Sequence, residues 1–377
     1  LTRSACTLAL PGVAAAAVIL FGPAALRGQD AASCLECHAL PDQSLALPSG
    51  ETRSVTLDAD AFAASAHGEA GLDCLACHTE HAEYPHPEVK EQTSRDYVFA
   101  RAQSCEACHE DQAREYADGV HKAMRANGKP QAATCGDCHD PHAGRRLTDG
   151  KGTLLPEARL AVPQTCARCH GAIYEQYKGS AHGAALIGEG NPDVPTCISC
   201  HGVHKIADPR TVRFRLDSPL LCASCHTDAA KMKKYGLSTA VLRTYVADFH
   251  GSTVTLFQKA HPDQQTNKPV CYDCHGVHDI PHTSDPQKGI RTKENLLRTC
   301  QQCHPTATAN FPDSWMSHFI PDRERAPAVF WLGWLYRVLI PGTIGGMLVF
   351  VVADFARRQV DKRRARASAP PPGEGRA

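Results

Sequence analysis

Aromatic side chains are scarce in this chain. Phenylalanine, tryptophan and tyrosine make up 6% of its 377 residues, too little bulky apolar volume for the core that such a length would ordinarily build. Methionine is scarcer still, at four residues. Neither sign of charge is in excess: 40 basic and 40 acidic side chains cancel, so the electrostatic footprint expected of a nucleic-acid binder is missing. No glycine-rich phosphate-binding loop is present either. With 28 glycines and 26 prolines to interrupt regular structure, the expectation is short elements joined by loops around an interior filled by something other than side chains.

What is abundant is cysteine and histidine, 19 and 21 residues respectively. Eighteen cysteines fall into nine Cys-x-x-Cys-His motifs: Cys34 and Cys37, Cys74 and Cys77, Cys105 and Cys108, Cys135 and Cys138, Cys166 and Cys169, Cys197 and Cys200, Cys222 and Cys225, Cys271 and Cys274, Cys300 and Cys303. The histidines that close them are His38, His78, His109, His139, His170, His201, His226, His275 and His304. Two thiols at this spacing can add to the two vinyl groups of one porphyrin, and the next residue places an imidazole under the iron. A zinc ribbon, a redox dithiol or a disulfide framework would use the cysteine pairs, but none requires the histidine that follows every one of them. The motifs therefore predict nine covalently held haem c groups, with these nine histidines as proximal ligands.

The ends of the chain read differently from its middle. Residues 1–30 have an early arginine and an apolar run, as in a secretory signal peptide or an N-terminal anchor, and the remaining cysteine, Cys6, precedes that run. Residues 31–322 hold all nine motifs. Residues 328–354 are apolar enough to predict a transmembrane helix, with Trp331, Trp334 and Tyr336 as an interfacial belt and Arg337 as its one internal basic residue. The tail at 355–377 opens with six basic residues between Arg357 and Arg366, which places the C-terminus in the cytoplasm and the haem-bearing part on the periplasmic face of the inner membrane.

The remaining histidines repeat with the motifs. After the second, fourth, sixth and eighth motifs a further histidine follows at three residues: His81, His142, His204 and His278. After each odd motif an isolated histidine follows, often in a small-residue setting: His67, His121, His182, His250 and His318. The unit of two motifs and two added histidines occurs four times and stops halfway through a fifth. Nine added histidines match nine irons, and four methionines could not supply them, so bis-histidine ligation is expected throughout. His86, His261 and His282 are left over; His261 competes with His250, which is preferred because it shares a His-Gly step with His67 and His182.

Spacing limits which iron a close histidine can reach. Two trans imidazoles need backbones about 12 Å apart, whereas three residues span at most about 10.5 Å extended and about 4.5 Å in a helix. Each close histidine should therefore serve a neighbouring haem. Around the fifth motif the pattern predicts one helix from about Gln164 to Gly179, with His182 just past its end. His304 and His318 are expected to flank the last haem, beside the membrane, where electrons would enter.

With these motifs, close histidines and Ser-x-His-Gly elements, the chain resembles the bacterial multihaem cytochromes c of respiratory, quinol-linked and doubled-CxxCH type. The resemblance implies a mainly α fold with extensive loops, wrapped around a haem chain, plus here one C-terminal transmembrane helix. It implies an electron carrier rather than an enzyme, working between a membrane cytochrome b or other quinol-oxidising subunit and a periplasmic or outer acceptor. The chain departs from quinol dehydrogenases anchored at the N-terminus, because its retained anchor is C-terminal. A multihaem reductase of a nitrogen or sulfur oxyanion would need an open iron, which the histidine census does not leave; an extracellular haem filament would not need the anchor.

Overall fold

The computed structural model describes residues 31–314 and 318–368. The N-terminal signal or anchor segment lies outside the described residues. Among them the chain is mainly helical, with one two-stranded antiparallel hairpin, Ser44–Ala46 against Thr52–Ser54, as its only sheet. It divides into two compact units, one made of residues up to Tyr174 with Pro195–Asp208, the other of Glu175–Val194 with Pro209 onward.

The scarcity of aromatics has its counterpart in the packing. Among the described residues, buried hydrophobics are few and dispersed, and one cluster of buried residues joins Leu216, Val254 and Val270, flanked by Val212, Phe257 and Tyr272. Side-chain burial on this scale contributes only a small part of what a domain needs to offset its conformational entropy.

Odd and even motifs occupy opposite ends of helices. The third, fifth, seventh and ninth motifs lie at the C-terminal ends of Ser94–Glu106, Pro156–Ala167, Val212–His226 and Lys293–Gln301. The fourth, sixth and eighth begin one-turn helices, Cys135–Cys138, Cys197–His201 and Cys271–His275. The helix expected over 164–179 is in fact two, Pro156–Ala167 and Gly171–Lys178, broken at the motif itself. The third motif breaks its helix in the same way, between Ser94–Glu106 and Glu110–Ala117. His109 and His170 still donate their N–H groups back to Cys105 and Cys166 at 3.0 and 2.9 Å, a turn that puts both thiols and the imidazole on one side, and His109 then leaves helical geometry at φ −106°, ψ 50° to cap the next helix.

The apolar C-terminal segment forms one exposed helix, Pro327–Ala367, of 41 residues, long and apolar enough to cross a membrane. It runs past residue 354, so the basic residues expected in a separate tail continue the same helix.

Candidate haem sites

The local sequence around each added histidine explains its placement. In Ser-Ala-His-Gly, the serine is a helix N-cap: Ser65 accepts from Gly68 N–H and Ser180 from Gly183 N–H, both at 3.0 Å, which sets His67 and His182 at the second position of the new helix. His182 thus begins a helix, Ala181–Glu189, rather than trailing one. The glycine is needed because a Cβ on Gly68, Gly183 or Gly251 would collide with the carbonyl oxygen of Phe62, Tyr177 or Tyr245 in the preceding helix. In His-Gly-Val-His, Gly202 and Gly276 adopt φ of 81° and 82°, a left-handed turn that leads to His204 and His278. At the fourth motif Asp140 makes the equivalent turn by accepting from the N–H groups of His142 and Ala143, each at 2.9 Å.

Histidines far apart in sequence face each other in pairs. Ring centres are separated by 6.2 Å for His67 and His109, 6.4 Å for His121 and His170, 6.1 Å for His182 and His226, and 6.4 Å for His250 and His304. They are 6.0 Å apart for His78 and His142, 6.3 Å for His139 and His204, 6.2 Å for His275 and His318, and 6.2 Å for His38 and His86. A metal-bound imidazole has its nitrogen about 2 Å from the metal and its ring centre about 1 Å further, so two on opposite sides of one iron have centres about 6 Å apart. The pairs fit that requirement.

The pairs obey a register. Each isolated histidine His67, His121, His182 and His250 meets the motif two places ahead, while the close histidines His142 and His204 meet the motif two places behind. A backbone hydrogen bond ties the two classes together: Ala66 to Gly144 at 2.9 Å, Val120 to Ile206 at 2.8 Å and Ala181 to Ile280 at 2.8 Å. In each case the residue before an isolated histidine donates to the carbonyl two residues after a close one, so His278 sits in the same joint as His142 and His204.

Two sequence-based pairings need correction. His318 faces His275 of the eighth motif and His304 faces His250, so His304 and His318 do not flank one site. His86, set aside in the sequence reading, faces His38, while His81 lies 5.2 Å from His86 and 6.0 Å from His78. His261 packs on Phe257 at 5.5 Å.

Hydrogen bonds and burial prepare the rings to act as ligands. Nδ1 of His38 donates to Val55 O at 2.9 Å, Nδ1 of His86 to Glu83 O at 2.8 Å, and Nδ1 of His318 contacts the Thr244 hydroxyl at 3.1 Å, which leaves Nε2 of each ring to coordinate. Burial first, then the facing ring, pushes the pKa of His78, His182 and His275 down to about 4, which favours the neutral form that binds metal.

The cysteines order the motifs in space. First cysteines of successive motifs lie side by side: Cys34 with Cys74, Cys105 with Cys135, Cys166 with Cys197, and Cys222 with Cys271. The intervening neighbours approach through other thiols: burial and then Cys108 raise the pKa of Cys77, and burial and then Cys166 raise that of Cys138. Cys274 likewise senses Cys300 and Cys303. Motifs one to six therefore follow one another in chain order within the first unit, and motifs seven to nine within the second.

Sequence reasoning also missed two locks. Arg95 holds both oxygens of Asp137, inside the fourth motif, at 2.7 and 2.9 Å, and Arg215 holds Asp273, inside the eighth, at 2.8 and 3.1 Å. Each carboxylate in turn accepts from the N–H of the residue before its motif, Thr134 or Val270, at 2.6 Å. An acidic residue between the two cysteines, with an arginine on the helix of the preceding motif, was the available signal.

The doubled CXXCH motif family matches residues 190–231, which span the sixth and seventh motifs. The chain is also 28% identical to the multiheme cytochrome MtrA of Shewanella baltica (strain OS185) over 232 residues. These findings support a multihaem c-type cytochrome. That match covers 58% of this chain and 57% of the relative, so the chain spans little more than half of the cytochrome it resembles. No solved structure matches it.

Proposed function

We propose that the chain is a membrane-anchored nonahaem cytochrome that carries electrons between a membrane quinol or cytochrome b module and a periplasmic or outer acceptor. Haem c, when bound, would supply a one-electron iron couple, and the paired histidines would occupy the ligand positions of its iron, which favours electron transfer over substrate binding. The observation that carries the reading is the succession of motifs in chain order, each lying beside the next through its cysteines within a unit. Neighbours held this closely suit a conduit better than a single reaction centre.

In this reading His38, His78, His109, His139, His170, His201, His226, His275 and His304 are proximal ligands. His142, His67, His204, His121, His182, His318 and His250 are distal ligands for the second, third, fourth, fifth, seventh, eighth and ninth motifs. The inner membrane, the periplasmic face and the cytoplasmic basic end are supported by the exposed apolar helix Pro327–Ala367 and its terminal arginines.

The test is haem stoichiometry and quinol-linked reduction in isolated membranes. Nine haems per chain and quinol-driven reduction that disappears when residues 327–367 are deleted are expected. A different stoichiometry, or reduction by quinol that survives the deletion, would refute the corresponding part of the reading.

A further inference from the structure

We propose that the first haem site has exchangeable distal ligation: His86 is the ligand in the arrangement seen here, and His81 is positioned to replace it. The inference rests on the haem-conduit reading and concerns its first site only. Three imidazoles converge there, since His86 faces His38 at 6.2 Å and His81 stands 5.2 Å from His86. The repeat explains the surplus. His142 and His204 each reach back two motifs; counted the same way from His81, two motifs back falls before Cys34, in residues 1–33, which hold no Cys-x-x-Cys-His run. The His81 ring also stands 6.0 Å from that of His78, but His142 faces His78 at the same distance, so His81 is the surplus ring.

The tethers of the two rings differ. His142 and His204 belong to segments pinned by backbone bonds to another stretch of chain, from Ala66 and Val120. His86 lies on an exposed loop beside Tyr84, which is 88% exposed, and its Nδ1 bonds within that loop to Glu83. His81 is half-buried, and its Nδ1 is a buried atom with no hydrogen-bond partner among the described residues. A buried ring nitrogen without a partner is costly, and a shift of the ring toward a metal or another acceptor relieves it. Displacement of the 83–88 loop would thus free His86 while leaving His81 to complete the iron.

The experiment uses the full-length holoprotein with His81→Ala, His86→Ala and the double substitution, read by electron paramagnetic resonance and cyanide binding. Attachment through Cys34 and Cys37 keeps the haem in place in every variant, which the haem-to-protein ratio checks. Both single variants should remain wholly low-spin, with the signal of one haem altered in His86→Ala. The double variant should gain one high-spin haem per chain that binds cyanide and returns to low spin with added imidazole. A high-spin haem in either single variant, or a double variant that stays wholly low-spin, overturns the proposal. A high-spin haem already present in the wild type refutes the conduit reading and the ligand count beneath this proposal together, and is told apart because no substitution is needed to see it.

Discussion

Replacing Arg95 with alanine should loosen the fourth motif without touching any ligand. The guanidinium makes two bonds to Asp137, at 2.7 and 2.9 Å, and donates to the carbonyls of Pro130 at 2.8 Å and Ala132 at 2.6 Å. Its removal strands a carboxylate and two carbonyls that no longer have this donor. Bonds to charged groups contribute about 1.5–3 kcal/mol each when lost from a buried setting, but solvent reaches 27% of the arginine and 30% of the aspartate side chain, which lowers the combined figure to about 2–3 kcal/mol. At about 1.4 kcal/mol per factor of ten, the amides of 130–139 should lose roughly 30- to 140-fold in hydrogen-exchange protection. Native-state exchange read by mass spectrometry on that peptide measures the change. A double-mutant cycle with Asp137→Asn should be non-additive, because the two residues share the bond being removed. Protection that falls less than threefold, or an additive cycle, would show that Arg95 does not hold the motif.

Two further outcomes follow from the helix corners and the register. Gly183→Ala forces a methyl into the Tyr177 carbonyl, and should cost about 3 kcal/mol or more and displace His182; thermal unfolding and the low-spin signal of the seventh haem check it. His250→Ala should create one high-spin haem whereas His261→Ala should create none, and cyanide titration separates them; the reverse result would move the ninth haem's ligand to His261.

Much of the candidate site was legible because covalent chemistry is local. Five consecutive residues suffice to mark a haem attachment, and the added histidines stood out by their phase with the motifs rather than by their surroundings. The His-Gly step singled out His250, whose ring faces His304, and the reason for that step, a helix corner with no room for a Cβ, is a packing fact that the letters record without explaining. His86 escaped because it follows no phase; only the fold of its loop brings it opposite His38. The single helix expected over 164–179 failed because propensity does not see that the chain leaves helical geometry at the motif, between Ala167 and Gly171.

The sequence by itself determined the number of motifs, the histidine that closes each one, the alternation of close and isolated histidines, and an apolar C-terminal helix, since each is set by bonds or periodicities spanning a few residues. Tertiary structure alone decided which histidine meets which. Reaching two motifs forward from His121 and two motifs back from His204 requires the bond from Val120 to Ile206, which joins segments more than eighty residues apart. Contacts of that range depend on how the chain returns on itself, and no local pattern encodes the return.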